Sequence, residues 1–348
     1  MLKPMKNYFR LLAQGHKNGI LSRALQPVLE VAGGIYGGTV GCVRSLYEKK
    51  VFPSKRLPFP VVSIGNLTWG GTGKTPLVEY LARKISEQQR TPLILTRGYG
   101  KDEVEQMRHH LPRALFGVGR DRYQTAQSLA KNHKIDIAIL DDGLQHWALS
   151  RDMEVITINA INPFGNGKLI PRGILREPVS ILNKASVVVI AHVNLVAPDE
   201  LERLRQVILK VAPKVEITES YLEPLFFYRA EKRSRVSLDR LARERVTTFS
   251  GVACPRSFQL LLAHHGVKPV RNFEFGDHHA FSEAELKEIK EVSDAASAGE
   301  IVTTEKDFYR APERITRVLN PLVLAARLRI KSGDEALSRR ILPLLGVS

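Results

Sequence analysis

A glycine-rich turn that ends in lysine and threonine is the first feature of this sequence that could do chemistry. The segment GNLTWGGTGKTP spans residues 65–76, with an apolar run before it and a helical pattern after it. In a P-loop, backbone N–H groups wrap the nucleotide phosphates, the lysine reaches the β and γ oxygens, and the hydroxyl ligates Mg²⁺. Thr68 replaces one glycine of the strict pattern, and an ordinary glycine turn is the alternative. We predict that the phosphate-binding residues are Gly70, Gly71, Thr72, Gly73, Lys74 and Thr75, with Lys74 also acting in catalysis.

Two adjacent aspartates follow a second apolar run, IDIAILDDG at residues 135–143. A P-loop site needs a carboxylate at the end of a neighbouring strand to hold the metal ion. We therefore predict that Asp141 ligates Mg²⁺ together with Thr75, and that Asp142 takes part in catalysis beside it. A solvated loop cap is the alternative for this pair. The segment NKAS ends in Ser186, where a guanine-specificity signature requires aspartate, so ATP is preferred to GTP.

Alternating apolar runs and helical patterns must position these residues. The runs lack period-two alternation, which indicates parallel strands covered on both faces, with ligands beyond their carboxyl ends. We predict an α/β fold in which a P-loop NTPase-like, doubly wound parallel sheet is joined to a second, smaller α/β domain and a basic amphipathic N-terminal helix. The predicted segments are the N-terminal arm (1–57), the ATP-binding domain (58–155), the second domain (156–330) and a C-terminal helix that packs on the first domain (331–348).

The charge of the chain points to anionic partners. Its 348 residues carry a net charge of +16, and residues 1–57 contain ten Lys or Arg against two acids, Glu30 and Glu48. The apolar stretch 24–43 is interrupted by polar residues and glycines, so it is a poor transmembrane span. Its spacing suits a helix that lies on an anionic bilayer, or one that packs on its own domain. An organellar presequence is a further alternative for the N-terminal segment.

Six motifs together resemble one family. They are GNLTWGGTGKTP (65–76), TRGYG (96–100), DDGLQHW (141–147), RDMEVI (151–156), PFGNGKLIPRGILREP (163–178) and GDHHAFS (276–282). In this order they resemble tetraacyldisaccharide 4'-kinases, the lipid A 4'-kinases. The resemblance implies transfer of the ATP γ-phosphate, with Mg²⁺, to the 4'-hydroxyl of tetraacyldisaccharide 1-phosphate. It also implies a peripheral protein at the cytoplasmic face of the bacterial inner membrane, or in a plant-type organelle, with no nucleic acid and no obligate protein partner.

The resemblance further implies a proton acceptor. Family members carry a Gly-Asp-Glu-Pro stretch whose aspartate is the catalytic base, and here Asp102 follows Lys101 and precedes Glu103 and Val104. Asp102 is therefore the expected base, with a helix cap as its alternative role. His278 matches the family histidine that works with the base, and we expect domain closure to bring His278 to Asp102.

Five further residues carry over by motif. Gln145 and His146 are expected to contact the nucleotide or the acceptor, and a hydrogen-bonded loop staple is their alternative. Arg122, Arg176 and Glu177 match charged active-site residues, because arginine suits the spread charge of a transferring phosphoryl group. Surface salt bridges are the alternative for these three.

Two other classes of protein remain open from the residues alone. A P-loop ATPase of the metallochaperone or assembly type would hydrolyse ATP without phosphorylating a lipid, although no Cys or His delivery motif is evident. A nucleic-acid-binding ATPase would account for the net charge of +16, yet no stacking motif is evident and aromatic residues make up only 7% of the chain.

Overall fold

The computed structural model describes residues 20–98 and 101–346, and the chain divides into two compact units. The first unit comprises residues 1–97, 113–221 and 330–348, and the second comprises residues 98–112 and 222–329. The domain boundary predicted after residue 155 therefore falls inside the first unit, within the strand Met153–Asn159. Apolar strands continue on both sides of this point, so no change in composition marks where the chain leaves the first unit.

A parallel sheet forms the centre of the first unit. Its strands are β1 (Val61–Asn66), β2 (Pro92–Thr96), β3 (Leu115–Val118), β4 (Ile137–Asp141), β5 (Met153–Asn159), β6 (Val187–Ala191) and the first part of β7 (Glu216–Arg229). Their order is β7-β6-β5-β1-β4-β2-β3, and neighbouring strands in this order pair in parallel. Strands β1, β2, β4 and β6 are buried at every residue, because helices cover both faces. The predicted α/β fold class is confirmed.

Helices cover this sheet and carry the glycine-rich turn. Helix α2 (Lys74–Glu87) begins directly after the turn. The other helices of the first unit are α1 (Ile20–Glu48), α4 (Arg122–Ala130), α5 (Pro198–Val211) and α10 (Asp334–Ile341), with short 3-10 turns at Val179–Lys184, Val193–Leu195 and Leu342–Leu345. Lys84 of α2 is 2.7 Å from Asp334 at the start of α10, so the C-terminal helix lies on the P-loop helix.

Helix α1 has one face on its own unit and one face exposed. Gly33 lets the helix approach closely, since a Cβ there would lie 3.3 Å from the Leu169 carbonyl oxygen. Val28, Val31 and Ile35 are about two-thirds exposed, at 66%, 64% and 66%. Both predicted roles of the apolar stretch are therefore compatible with α1, while residues 1–19 of the predicted basic arm lie outside the described residues. In the described part of the chain, no helix combines the length and apolarity that crossing a membrane requires.

The second unit is a smaller α/β structure. Its strands are the remainder of β7, then β8 (Arg235–Val236), β9 (Val246–Ser250), β10 (Pro269–Glu274), β11 (Glu300–Thr304) and most of β12 (Leu322–Ser332), whose last three residues belong to the first unit. Their order is β10-β9-β11-β12-β7, and β8 is antiparallel to β7. Its helices are α3 (Lys101–His110), α6 (Pro255–His264), α7 (Glu283–Ala295), α8 (Glu305–Phe308) and α9 (Pro312–Val318), and a 3-10 turn covers Leu238–Arg243.

Strand β11 of the second unit ends at a threonine cap. Within the run EIVTTEKDFYR of residues 300–310, β11 stops at Thr304. The Thr304 hydroxyl accepts a hydrogen bond from the Asp307 backbone N–H at 3.1 Å and caps α8. After this cap the chain enters α8, so Lys306, Asp307 and Arg310 do not continue the strand.

The close approach of β1 to the loop after β4 gives a stability prediction. A Cβ at Gly65 would lie 2.8 Å from the Leu144 backbone nitrogen. Because backbone atoms cannot move aside, we expect Gly65→Ala to destabilise the protein by about 1–3 kcal/mol. The measurement is the urea midpoint and the melting temperature. Gly38→Ala is the matched control, since nothing lies within 4 Å of its Cβ position in α1; equal melting of the two variants would contradict the predicted contact.

Candidate active site

The glycine-rich turn has the backbone conformation of a phosphate-binding loop. Gly70 and Gly73 have φ of 106° and 79°, a region that side chains rarely allow. Gly73 precedes α2 as its N-cap, so the first N–H groups of that helix open toward the turn. Asn159 of β5 donates a hydrogen bond to the Gly71 carbonyl at 2.9 Å, and the Thr157 and Thr72 hydroxyls are 3.0 Å apart. Strand β5 therefore holds the loop in place.

One carboxylate and two cations meet beside this loop. Arg176 donates two hydrogen bonds to Asp142, Nη1 to Oδ1 at 2.6 Å and Nη2 to Oδ2 at 3.3 Å. The Lys74 ammonium is 3.6 Å from Asp142 Oδ1. Asn66, the last residue of β1, accepts hydrogen bonds from Lys74 at 2.9 Å and from Arg176 at 3.0 Å. We call Asn66, Lys74, Asp142 and Arg176 the cation cluster.

The cation cluster keeps its carboxylate charged. Burial alone would raise the pKa of Asp142, but the charges of Lys74 and Arg176 outweigh burial and lower this pKa. Two positive charges against one negative charge leave the cluster net positive. It can therefore receive phosphate oxygens at the carboxyl end of β1, where a doubly wound sheet binds its ligands.

Arg122 and His146 form a second pair in the first unit. The Arg122 guanidinium is buried, with Nη1 3.2 Å from His146 Nδ1 and Nη2 donating to the Asp141 carbonyl at 3.4 Å. Burial, and then the charges of Arg122 and Arg151, lower the pKa of His146 to about 4. His146 is consequently neutral at pH 7 and accepts a hydrogen bond from Arg122, which holds the arginine side chain in place.

Gln145 joins Arg176 to a buried glutamate. Its Oε1 accepts from Arg176 Nη2 at 3.3 Å, and its Nε2 donates to Glu177 Oε1 at 3.2 Å. Glu177 has no exposed side-chain surface, and its other oxygen is 2.7 Å from Arg44 Nη1 of α1. The pairing of Glu177 is thus buried, unlike the surface salt bridge that was its alternative role.

The predicted magnesium ligands have suitable chemistry. Thr75 is the second residue of α2, and Asp141 is the last residue of β4, where it stands beside Ile64 of β1 in the sheet register. A hydroxyl and a carboxylate are hard oxygen donors, and Mg²⁺ commonly uses one or two protein ligands with phosphate oxygens and water. In residues 20–98 and 101–346, no group of three or more His, Cys, Asp or Glu is arranged to hold a metal ion. Thr75 and Asp141 therefore fit a metal ion that a nucleotide brings with it.

Asp102 is the centre of a polar cluster in the second unit. It lies in the first turn of α3, and its Oδ2 is 2.8 Å from Arg310 Nε and 3.8 Å from His278 Nδ1. Both Asp102 and Arg310 are buried. Burial alone would raise the pKa of Asp102, but His278, Arg310 and the charge of Lys306 hold this pKa well below its usual range. Asp102 and His278 belong to the same compact unit, so their proximity does not depend on the domain closure that we expected.

Arg310 is fixed by several acceptors. Its Nη1 donates to Asp307 at 2.7 Å and to the Gly251 carbonyl at 2.8 Å, and its Nη2 is 3.5 Å from Asp277. Lys306 links the same region, at 2.7 Å from Glu103 and 3.2 Å from Asp277. We call Asp102, His278 and these neighbours the aspartate cluster: Glu103, Asp277, Lys306, Asp307 and Arg310.

The two adjacent histidines of the second unit have different surroundings. His278 is 47% exposed, has φ of 56°, and its Nε2 is 3.7 Å from Asp277. His279 stacks on Phe275 with ring centroids 4.5 Å apart, and its Nε2 is 3.0 Å from Glu285. Only His278 therefore combines contact with Asp102 and access to solvent.

Comparisons with known proteins match nearly the whole chain. A family model described as tetraacyldisaccharide-1-P 4'-kinase matches residues 25–109 and 102–345. The chain belongs to the tetraacyldisaccharide 4'-kinase family.

Individual relatives agree with this family. A probable mitochondrial tetraacyldisaccharide 4'-kinase of Arabidopsis thaliana is 36% identical over 350 residues, which cover 89% of this chain and 88% of that protein. A tetraacyldisaccharide 4'-kinase of Anaeromyxobacter sp. (strain K) is 35% identical over 317 residues, covering 85% and 82%. A crystal structure of LpxK from Aquifex aeolicus in complex with ATP shares the fold, with a TM-score of 0.68 and 24% identity, over 94% of this chain and all (100%) of that one.

Three residues of this tetraacyldisaccharide 4'-kinase family member contact predicted site residues but are not predicted from the sequence. Asn66 could have been found, since it is a polar residue at the end of the strand that enters the P-loop. Arg44 and Arg310 contact Glu177 and Asp102 across 133 and 208 positions of sequence. No local spacing signals such contacts, although Arg310 follows Asp307 by one helical turn.

The aspartate cluster predicts the effect of Arg310→Met. Burial of Asp102 remains while its nearest cation is removed, so we expect the pKa of Asp102 to rise. Because the folded pKa lies below that of unfolded aspartate, ionised Asp102 stabilises the fold above the unfolded pKa, and this contribution is lost as pH falls through the folded pKa. In Arg310→Met this contribution should be smaller, and its loss should be complete at a higher pH than in the wild type.

Carbon-13 NMR titration of the aspartate carboxyls, with Asp102 assigned through Asp102→Asn, measures this change. Arg314→Met is the matched control, because Arg314 donates to the Phe281 carbonyl in the same unit. An Asp102 signal that titrates alike in Arg310→Met and the wild type would refute the prediction.

Proposed function

We propose that this chain transfers the γ-phosphate of ATP to the 4'-hydroxyl of tetraacyldisaccharide 1-phosphate, a step of lipid A synthesis. Kinase activity with ATP follows from membership of the family. The observation that carries the proposal is the cation cluster, in which Asp142 lies 3.6 Å from the Lys74 ammonium and 2.6 Å from the Arg176 guanidinium. The cluster provides the positive charge that a transferring phosphoryl group requires.

Residues of the first unit would hold the nucleotide. The N–H groups of the turn over residues 70–75 would bind the phosphates, and Lys74 would reach the β and γ oxygens. Arg122, kept in place by neutral His146, is a second donor for the transferred group. A bound Mg²⁺, held by Thr75 and Asp141, would neutralise charge on the β and γ oxygens.

The reaction forms one bond and breaks one. The 4'-hydroxyl oxygen bonds to the γ-phosphorus, the bond from that phosphorus to the β,γ-bridging oxygen breaks, and ADP leaves with the electron pair. The hydroxyl proton must pass to a base.

Asp102 and His278 supply this base as a pair. A carboxylate whose pKa is well below its usual range is ionised but accepts a proton weakly. His278 is half-exposed and can receive the proton on its ring, while the Asp102 charge stabilises the imidazolium 3.8 Å away. His278 thus accepts the proton, Asp102 supports it by charge instead of acting as the base itself, and Arg310 fixes the position of Asp102.

The exposed face of α1 supports attachment to an anionic membrane surface. Val28, Val31 and Ile35 project from this helix, and the acceptor itself carries acyl chains. The chain's net charge of +16 favours an anionic surface. We propose a peripheral location, at the cytoplasmic face of the inner membrane in a bacterium, or on an organellar membrane as the name of the Arabidopsis relative suggests.

The test is transfer of label from γ-labelled ATP, with Mg²⁺, to tetraacyldisaccharide 1-phosphate in detergent micelles. We expect labelled lipid with the wild type, and a fall of about 10²-fold or more in kcat/KM for Lys74→Ala and for Asp102→Ala. Lys84→Ala is the matched control on the same helix, since Lys84 pairs with Asp334. Label that appears only in free phosphate would replace the kinase by a P-loop ATPase of the assembly type.

The membrane proposal predicts the effect of charge on α1. We expect Val31→Asp and Ile35→Asp each to weaken sedimentation with phosphatidylglycerol vesicles about tenfold, because each removes an apolar side chain from the interface. Val207→Asp is the control, since Val207 is an exposed residue of a different helix, α5. Equal binding of all variants would exclude α1 as the membrane face.

A further inference from the structure

The inner face of α1 reaches the cation cluster through a chain of hydrogen bonds. Arg44 Nη1 is 2.7 Å from Glu177 Oε2, and Gln145 Nε2 donates to Glu177 Oε1 at 3.2 Å. Gln145 Oε1 in turn accepts from Arg176 Nη2 at 3.3 Å. Helix α1 is thereby connected, through Glu177 and Gln145, to the arginine that binds Asp142.

Glu177 needs a cation because it is completely buried. A buried carboxylate that is ionised and has no charged partner strongly destabilises the folded state. Burial raises the pKa of Glu177 above its usual value, and Gln145 together with the charges of Arg44, Arg176 and Lys184 offsets only part of this rise. Two guanidinium groups therefore act on this one carboxylate, but only Arg44 contacts it directly.

Arg176 in turn has two carboxylates within its reach. Its guanidinium is bonded to Asp142 at 2.6 Å and 3.3 Å, and one glutamine separates it from Glu177. Without Arg44, Glu177 would lose its direct guanidinium contact, and the cations that still act on it would be Arg176 and Lys184. Arg176 would then be drawn from Asp142 toward Glu177.

Loss of Arg176 from Asp142 would also withdraw Lys74 from its phosphate. Asp142 would keep only Lys74, now 3.6 Å away, and would attract it more closely. A lysine neutralised by a neighbouring aspartate is less available to the β and γ oxygens. The ATP affinity of the P-loop would fall although no residue that touches phosphate had been changed.

We propose that Arg44 is a positioning residue of the nucleotide site: by neutralising Glu177 it keeps Arg176 on Asp142 and leaves Lys74 free for phosphate. The proposal rests on the proposed function only in taking ATP as the nucleotide. It gives α1 a part in catalysis that is separate from membrane attachment, because Arg44 lies on the inner face and Val31 and Ile35 are exposed.

The test is a double-mutant cycle read by binding of a fluorescent N-methylanthraniloyl derivative of ATP with Mg²⁺, without lipid. The proteins are the full-length wild type, Arg44→Met, Glu177→Gln and the double variant. We expect Arg44→Met to raise the Kd about tenfold, which corresponds to the loss of one well-placed charge interaction. Addition of Glu177→Gln to Arg44→Met should lower the Kd again by about fivefold or more, because the competing charge is gone.

This rescue distinguishes positioning from anchoring. If Arg44 only held α1 in place, the double variant would bind as weakly as Arg44→Met, and that result would overturn the proposal. So would wild-type affinity in Arg44→Met, since Glu177 would then have been neutralised by a proton. Lys168→Met is the matched control, because it removes another ion pair of α1, that of Lys168 with Glu30, and should leave the Kd unchanged.

Two further readouts separate the possible failures. Near-ultraviolet circular dichroism and the melting temperature establish that each variant is folded. Steady-state kinetics with the lipid should show the same pattern in the KM for ATP, with a smaller change in kcat.

If the wild type binds the ATP derivative but labels no lipid, the proposed function fails while the cycle still decides the role of Arg44. A wild type that does not bind the derivative would overturn the nucleotide assignment and this proposal with it.

Discussion

The balance of charge around Asp142 is the interaction on which the first unit's site depends. One carboxylate holds two cations, and it holds them unequally: Arg176 is bidentate with a shortest distance of 2.6 Å, whereas Lys74 is 3.6 Å away. The looser partner is Lys74, the side chain that we propose to bind phosphate. An incoming nucleotide can therefore recruit Lys74 while Arg176 continues to satisfy Asp142, so the carboxylate is never left without a cation in a partly buried position.

The aspartate cluster of the second unit has the opposite charge balance. Asp102, Glu103, Asp277 and Asp307 face two permanent cations, Lys306 and Arg310. The excess of carboxylates favours a positive charge that develops nearby, as it would on a His278 ring that accepts a proton. A net positive site suits the phosphates of a nucleotide, and a net negative site suits the removal of a proton from a neutral hydroxyl. Each cluster thus has the charge balance that its proposed role requires.

The parts of this structure that the sequence predicts are those set by local rules. Continuous apolar runs predict β1 and β4, and the glycine and lysine spacing predicts the turn before α2. Family motifs single out Asp102 and His278, which lie 3.8 Å apart, while their catalytic role stays a prediction. The boundary between the units is not predicted. Residues 98–112 belong to the second unit although the segments on both sides of them belong to the first, and the sequence pattern is α/β throughout. The partners of the site residues escaped for a related reason. Arg44 and Arg310 reach their carboxylates only after the chain has folded, and a lone arginine carries no spacing signal.

The Arg44–Glu177 pair also raises the question of why a buried ion pair is retained. Removing two charges from water costs about as much as their attraction returns, so an apolar pair of similar size would serve stability as well. Geometry gives a better reason. The pair fixes one end of Gln145, whose other end contacts Arg176, and α1 is further held by hydrogen bonding from Tyr36 to the Arg176 carbonyl at 3.2 Å. A helix with an exposed apolar face is thereby tied at two points to a residue of the phosphate site. A displacement of α1 would therefore move groups that are hydrogen-bonded to Arg176.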